Sequence, residues 1–309
     1  MTTTGTNPRD PAAPGAAPYT VAPGGYRLPA GLLLGPVRLQ VADLDRSVGY
    51  YERVLGLRAT EHTETRATLA AQDDETSLVE LQELRGATPV PRRGRLGLYH
   101  FALLLPDRAS LGRFVAHLGA LGQYAGSADH LVSEALYLTD PDGLGIEVYA
   151  DRPKSSWRMQ GRSLAMAVDP LDLQDLVRAA GGQPWSGAPQ GTRMGHVHLH
   201  VGDLESASAF YHAGLGFDRI VLDIPGALFM SAGGYHHHLG TNIWAAGAPV
   251  AAEGDARLLE WTVQLPDGTD VEAAARSLTA SGYQVRQDSG GAVAADPWGT
   301  SVRLTALSP

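Results

Sequence analysis

The chain has 309 residues, of which 44% are hydrophobic and 18% are charged, so it is long and apolar enough for two domains with buried cores and is not disordered over most of its length. Its formal net charge of −9 excludes the non-specific attraction of a basic protein to nucleic acid or to an anionic membrane surface. It contains no cysteine, which excludes disulfide bonds and thiolate metal sites, so any metal must be bound by His, Asp or Glu.

The N-terminal segment 1–25 is rich in Pro, Ala and Gly and has no apolar run that could act as a signal peptide. We expect residues 1–25 to form a flexible tail and the protein to be cytoplasmic. No stretch of the chain approaches the ~20 apolar residues of a membrane span. Neither a membrane nor nucleic acid is therefore an expected partner.

Four segments of the chain share one pattern, in which a short apolar strand is followed by an Asp and then by a helix. The segments are residues 35–51, 99–115, 195–211 and 260–275. The Asp residues, each well placed as a helix N-cap, are Asp43, Asp107, Asp203 and Asp267. The first two are as far apart as the last two, and the interval between the pairs is longer. This indicates two similar halves, each a pair of modules, joined by a linker.

Gly-bounded strands follow each helix, so that a module consists of one strand, one helix and three more strands. The prediction is an α+β fold of four βαβββ modules. We place domain 1, with modules 1 and 2, at 26–150 and domain 2, with modules 3 and 4, at 194–309. The linker 151–193 contains Leu and Val at spacings that favour a short amphipathic helix.

Paired βαβββ modules of this kind resemble the vicinal oxygen chelate superfamily, which includes glyoxalase I, antibiotic-resistance proteins and extradiol dioxygenases. The stretches that carry the resemblance are residues 96–108, 133–153, 195–204 and 231–245. They are most similar to the two-domain, catechol 2,3-dioxygenase-like branch. The resemblance implies cupped mixed sheets in two domains, with a metal held in a cup.

A more specific motif of extradiol enzymes is a His, a Tyr a few residues on, an Asp-Pro-x-Gly turn and a Glu on the next strand. Here it reads His130, Tyr137, 140–143 and Glu147. Ala128 is a departure from the usual form, which often has a Gly or a similar residue just before the His. The resemblance implies that Tyr137 and His130 form hydrogen bonds to substrate oxygens.

The metal ligands are predicted by comparing equivalent positions of the modules, because non-haem Fe(II) oxygenases use two His and one carboxylate on one face of the ion. The residues at one position of the first strand are Pro36, His100, His196 and Glu260. The last strand has Glu147 in module 2 and Arg303 in module 4. The complete triad is His100, Glu147 and His196. We therefore infer that modules 2 and 3 face one another across a shared metal, Fe(II) or alternatively Mn(II), with modules 1 and 4 forming a second cup without metal.

Two further groups of His are candidates for the same pocket. His196, His198 and His200 share one face of a strand by its period of two, so His198 and His200 are expected to support the ligands or to line the pocket. Extradiol enzymes place an acid–base His in the strand that contains 236–238 here. His238 is the preferred residue for this role and His236 or His237 the alternatives, since the pKa of His lies near neutrality.

These features predict an extradiol-type dioxygenase that cleaves a catechol-like aromatic vicinal diol with dioxygen, the two being its small-molecule partners. One alternative is a metalloisomerase or lyase like glyoxalase I, which would use more protein ligands. Another is a metal-free protein that binds small molecules such as drugs. Such modules also pair across chains, so a homo-oligomer is compatible with the sequence.

Overall fold

A computed structural model describes residues 17–91, 94–222 and 224–307. Residues 1–16 of the predicted tail lie outside this part of the chain. The remaining tail residues are not free, which corrects the prediction for them. Tyr19 is buried and donates a hydrogen bond from its hydroxyl to the Gly234 carbonyl at 2.8 Å, and β1 (Thr20–Val21) pairs with a strand of module 3. Burial of the Tyr19 ring explains why this segment packs on the protein.

The first half of the chain contains two modules, each with a first strand, a helix and three further strands. Module 1 consists of β2 (Leu33–Val41), α1 (Leu44–Arg53), β3 (Arg58–His62), β4 (Arg66–Ala70) and β5 (Ser77–Glu83). Module 2 consists of β6 (Gly97–Leu104), α2 (Arg108–Leu121), β7 (Gly126–Asp129), β8 (Ser133–Thr139) and β9 (Gly145–Asp151). The βαβββ order predicted from the sequence is thus present in both.

The linker forms a 3₁₀ turn, a small hairpin and the predicted helix. Its elements are the turn Lys154–Ser156, β10 (Met159–Gln160), β11 (Ser163–Leu164) and α3 (Leu173–Ala179). Module 3 consists of β12 (Arg193–His200), α4 (Leu204–Ala207) with its π-helical continuation Ser208–Gly214, β13 (Asp218–Ile220), β14 (Ala227–Ser231) and β15 (Leu239–Asn242). Module 4 consists of β16 (Arg257–Leu265), α5 (Gly268–Ala280), β17 (Val285–Asp288), β18 (Gly291–Ala295) and β19 (Ser301–Ala306). None of the helices within the described residues is long and apolar enough to cross a membrane.

The repeated Asp begins the main helix of every module, as predicted. The Asp43 carboxylate accepts a hydrogen bond from the Arg46 N–H at 3.0 Å, which satisfies one of the free N–H groups of the first turn. The equivalent caps are Asp107, Asp203 and Asp267. The sequence repeat therefore corresponds to a repeated structural unit.

The strands form two large mixed sheets, which gives the expected α+β fold. The nine-stranded sheet has the order β1-β13-β14-β15-β12-β6-β9-β8-β7, and the eight-stranded sheet has the order β17-β18-β19-β16-β2-β5-β4-β3. The first strands join the modules, because β12 pairs antiparallel with β6 and β16 pairs antiparallel with β2. Modules 2 and 3 therefore share one sheet and modules 1 and 4 the other, which is the pairing inferred from the ligand positions. The divisions at 26–150 and 194–309 separate halves of the sequence and do not separate the sheets.

Modules of the same half are connected in a different way, through a Tyr of one helix and the Asp-Pro-x-Gly turn of the next module. Tyr51 of α1 donates a hydrogen bond to Asp140 at 3.2 Å, and Tyr211 of module 3 donates one to Asp296 at 2.9 Å. All four side chains are buried. These two hydrogen bonds connect module 1 to module 2 and module 3 to module 4. Every module therefore contacts two others, one through a shared sheet and one through a Tyr–Asp pair.

Candidate metal centre

Three adjacent strands at the middle of the nine-stranded sheet carry the predicted ligands. The order is β12-β6-β9, with His196 opposite Ala102 of β6 and Ala102 opposite Glu147 of β9. His100 lies two positions before Ala102 and therefore on the same face of β6. Because Ala102 is small, the three functional side chains can converge above it.

The three donor atoms form a nearly equilateral triangle. The His100 and His196 Nε2 atoms are 3.2 Å apart, and Glu147 Oε2 lies 3.1 Å from each of them. Donors with this spacing match one face of an octahedron with ligand distances of about 2.2 Å, a normal length for His and carboxylate ligands. Two imidazole nitrogens and a carboxylate in mutual contact, all buried, are a donor set that a divalent cation would satisfy. The residues present therefore fit a metal.

The electrostatics of the triad suit a neutral His100 beside an ionised Glu147 carboxylate. Burial opposes ionisation of Glu147, but the neighbouring His196 and His100 hold the pKa of this carboxyl well below its usual range. Burial lowers the pKa of His100, an effect that Glu147 only partly offsets. His100 thus keeps a lone pair for a metal, and Glu147 supplies the negative charge.

The His196 ring is oriented by packing. Its Nδ1 atom is buried and has no hydrogen-bond partner within the described part of the chain, although metal-binding His residues commonly donate this N–H. Instead the ring packs against Tyr149, with centroids 5.0 Å apart, and against His237, with centroids 4.1 Å apart. The aromatic neighbours hold the ring with its Nε2 toward the other two donors.

His130 and Tyr137 lie together on the wall of the same cavity. His130 Nδ1 is 2.7 Å from the Ala167 carbonyl, an acceptor only, so Nδ1 carries the proton and Nε2 is free to accept. The Tyr137 hydroxyl therefore donates to His130 Nε2, at 2.5 Å. Burial, with a smaller effect of Glu147, raises the pKa of Tyr137 well above its usual value.

The structure places His238, the preferred acid–base residue, outside the cavity of the triad. The segment 236–238 is a loop between β14 and β15 and not part of a strand as expected. His237 lines the cavity of the triad. His238 accepts the Ala232 N–H at Nδ1, at 3.2 Å, and lines a separate cavity with Arg193. Burial lowers the pKa of His238 to about 3 and also lowers the pKa of His237 well below its usual value, so position and not basicity separates the two residues. His237 is the one that lies beside the triad.

The cavity above the triad has a volume of about 400 Å³ and a largely apolar wall. Its apolar members among the described residues are Ala128, Met166, Val168, Ile224, Phe229 and Trp244. A second, wider cavity of about 670 Å³ shares Tyr99, His100, Tyr137 and Trp244 with it. The two cavities are therefore neighbours, with these four side chains between them.

Part of this wall comes from the linker, which sequence reasoning did not assign to the site. Met166 and Val168 line the cavity, and backbone bonds of 2.9 and 3.0 Å between Asp129 and Asp169 attach this segment to β7. The Ala167 carbonyl also fixes His130, as described above. The repeat pattern carries no signal for this, because the linker lies outside the repeat.

His198 and His200 also lie where the strand pattern predicts, joined by a residue that the sequence did not indicate. His198 lines the inner cavity and His200 the outer one. The Asn242 amide donates to His198 Nε2 at 3.0 Å and accepts from His200 Nδ1 at 2.7 Å. Asn242 thereby orients both rings.

In the second cup, formed by modules 1 and 4, an ion pair lies at the positions equivalent to those of the triad. The Arg303 guanidinium donates to both Glu260 oxygens, at 2.7 and 3.2 Å, and to Asp288. Pro36 lies at the cavity beside them and offers no ligand atom. A bound guanidinium thus occupies the place that corresponds to the triad in the other cup.

Comparison with known proteins places this geometry in a family context. The family model for the Glyoxalase/Bleomycin resistance protein/Dioxygenase superfamily matches residues 33–148 and 193–303. A catechol-2,3-dioxygenase of Bacillus subtilis (strain 168) is 43% identical over 258 residues, covering 82% of this chain and 90% of the relative.

Solved structures give the same fold at lower identity. A candidate dioxygenase from Bacillus subtilis subsp. subtilis str. 168 has a TM-score of 0.63 at 14% identity, covering 92% of this chain and 87% of its own. Glyoxalase I from Zea mays has a TM-score of 0.52 at 18% identity, covering 89% and 92%. The family match over both halves and the identity over most of the length show that this chain belongs to the Glyoxalase/Bleomycin resistance protein/Dioxygenase superfamily.

Proposed function

We propose that this protein is an extradiol-type dioxygenase, which opens the ring of a catechol-like aromatic vicinal diol with dioxygen at a metal bound by His100, Glu147 and His196. The observation that carries the proposal is the triangle of three buried donor atoms at the base of an apolar cavity. Three ligands on one face of an octahedral ion leave three positions open, enough for two diol oxygens and dioxygen. The relative named as a catechol-2,3-dioxygenase supports this choice of reaction.

The metal we propose is Fe(II), with Mn(II) as the alternative that accepts the same ligands. Such an ion would chelate the two diol oxygens, favour loss of their protons and pass electron density from the diol to dioxygen. Glu147 would balance part of its charge, because the neighbouring His196 and His100 keep the pKa of this carboxyl low and the carboxylate ionised. A metal held there would link modules 2 and 3, because its ligand atoms would come from both halves of the chain.

Tyr137 and His130 act on substrate oxygens through hydrogen bonds. The raised pKa of Tyr137 keeps its hydroxyl protonated at neutral pH, and that proton is donated to His130 Nε2. His130 is held in turn by the Ala167 carbonyl. The Tyr137 oxygen therefore offers a lone pair in a fixed position, which would accept a hydrogen bond from a diol hydroxyl and orient it.

His237 is the residue we assign to proton transfer. It lines the cavity beside His196, and within the described part of the chain its Nε2 has no hydrogen-bond partner. Its role is to accept a hydroxyl proton from the diol and to return a proton later in the reaction. The apolar wall of the cavity excludes water, which keeps that proton within the site.

The test is metal analysis of protein purified without oxygen, followed by an oxygen-electrode measurement with catechol, 3-methylcatechol and 2,3-dihydroxybiphenyl. We expect one metal per chain and oxygen uptake in step with a yellow ring-opened product. Glu260→Gln is the matched control for Glu147→Gln, because it changes the equivalent carboxylate of the second cup. Absence of oxygen uptake together with isomerisation of a hemithioacetal would instead assign the protein to the glyoxalase I reaction.

A further inference from the structure

Three polar side chains in contact lead from the wall of the metal cavity toward the surface. His237 Nδ1 lies 2.8 Å from His236 Nδ1, and His236 Nε2 lies 2.9 Å from Asp151 Oδ1. His236 is fully buried, His237 is 6% exposed, and the Asp151 side chain is 26% exposed. The chain of contacts therefore connects a cavity residue to a carboxylate that water can reach.

The direction of these hydrogen bonds follows from the Asp151 carboxylate, which can only accept when ionised. His236 Nε2 must then carry a proton. A neutral imidazole carries one proton, so with that proton on Nε2 the Nδ1 of His236 is a lone pair and accepts. His237 Nδ1 is therefore the donor in the bond between the two rings, and its Nε2 is left with a lone pair.

Asp151 is itself firmly held. It ends β9, the strand of Glu147, and accepts hydrogen bonds from the Tyr235 hydroxyl at 3.0 and 3.2 Å. Tyr235 in turn is 2.7 Å from the Tyr149 hydroxyl. The Trp157 ring lies 5.5 Å from that of His236 and shields it. The carboxylate thus has a fixed place on the same strand as a metal ligand.

We propose that Asp151 and His236 are positioning residues, which hold His237 as the tautomer with a proton on Nδ1 and a lone pair on Nε2. The proposal rests on the role of His237 in the proposed function. A proton acceptor in the wrong tautomer would present an N–H to the diol and could not take its proton. The contacts of Asp151 and His236 thereby determine that the lone pair of His237 is on Nε2.

The decisive experiment is long-range ¹H–¹⁵N correlation NMR on histidine-labelled, metal-free protein, which reports the tautomer directly and does not require activity. We expect the Nδ1–H tautomer of His237 in the wild type. His236→Phe keeps a ring but removes the acceptor, and should shift His237 toward the Nε2–H tautomer. His238→Gln, which changes the neighbouring His outside the cavity, should leave the signal unchanged.

Kinetics of the metal-loaded enzyme supply the second readout. His236→Phe should lower kcat by about 10²-fold, as expected for loss of an oriented base, with KM and metal content unchanged. Asp151→Asn should lower kcat in the same direction by less, and it replaces His236→Phe if that variant does not fold.

An Nε2–H tautomer of His237 in the wild type would overturn the proposal, as would unchanged tautomer and kcat in both variants. If the wild type cleaves no diol, the proposed function fails, and the NMR result alone then decides the tautomer.

Discussion

His100 and His196 are 96 residues apart in the sequence, yet their Nε2 atoms are 3.2 Å apart. They lie on the antiparallel pair β6 and β12, where the two halves of the chain meet. The candidate metal centre is therefore a contact between halves, and neither half contains the full ligand set.

Removing one donor of the triad is expected to abolish metal binding with the fold intact. His100→Ala should reduce the metal content from one per chain to less than about a tenth, because two remaining ligands hold a divalent ion weakly. Metal analysis and circular dichroism would check this. Glu260→Gln should keep the metal, and metal retained by His100→Ala would contradict the assigned site.

Substitution of His237 should separate metal binding from turnover. His237→Gln is expected to keep the metal and to lower kcat by about 10²-fold or more, because it removes the proton acceptor beside His196. His238→Gln should retain most of the wild-type rate, since His238 lines a different cavity. Rates from an oxygen electrode at matched metal content provide the comparison, and the reverse order of effects would return the role to His238.

The volume above the triad predicts how substrates are selected. An apolar cavity of about 150 Å³ holds benzene, so the cavity of about 400 Å³ has room for a ring with an apolar substituent. Met166→Trp should fill part of this space. We expect KM for 2,3-dihydroxybiphenyl to rise about 10-fold with little change for catechol. Equal changes in KM for catechol and 2,3-dihydroxybiphenyl would show that the substituent does not lie beside Met166.

Asp140 gives the stability of the fold an unusual pH dependence. Burial, the largest effect, raises the pKa of Asp140 to about 7, whereas the value in an unfolded chain is about 3.9. The folded protein therefore binds this proton more tightly than the unfolded chain. The resulting stability is fully present below about pH 4 and is lost as the pH rises through about 7.

Asp140→Asn cannot titrate and isolates this effect. Relative to that variant, the wild type should gain roughly 1.4 kcal/mol in free energy of unfolding for each unit that the pH falls between about 7 and 4. Urea unfolding at several pH values measures the difference. Asp288→Asn is the control, because Arg303 holds the pKa of that exposed carboxyl at about 2, below this window. If the difference in free energy of unfolding between the wild type and Asp140→Asn does not vary with pH, Asp140 is ionised over the whole range.

The Tyr51–Asp140 bond should also be measurable by itself. Tyr51→Phe removes one buried hydrogen bond and is expected to cost about 1 kcal/mol or more, because Asp140 Oδ2 loses its donor while Oδ1 keeps two backbone N–H groups. Tyr211→Phe should have a similar effect through Asp296. Thermal unfolding of each variant and of Tyr51→Phe with Asp140→Asn would measure the coupling. No coupling in the double variant would show that the two side chains act independently.

Much of the fold follows from local chemistry that the sequence displays. The four Asp residues cap their helices because a carboxylate satisfies N–H groups of the first turn wherever it occurs. The ligands follow from their equivalent positions, since a shared strand register places His100 and His196 on one face. The repeat in the sequence therefore indicates which residues far apart in the chain lie close together in the fold.

The rest depends on long-range packing, which no local pattern encodes. The position of His237 is set by a loop that ends at the start of β15, where the resemblance implied a strand. Met166 reaches the cavity because Asp129 and Asp169 bind the linker to β7, and the repeat does not extend to these residues. Asn242 orients two His side chains through contacts that appear only after β12 and β15 have paired.

The Arg303–Glu260 pair makes the two cups differ in what they require from their surroundings. A metal ion exchanges with solution and can be lost, whereas the guanidinium of Arg303 is covalently part of the chain. The eight-stranded sheet therefore carries its own permanent counter-ion. The second cup therefore needs no ion from solution to balance its buried carboxylate, whereas the triad would need one.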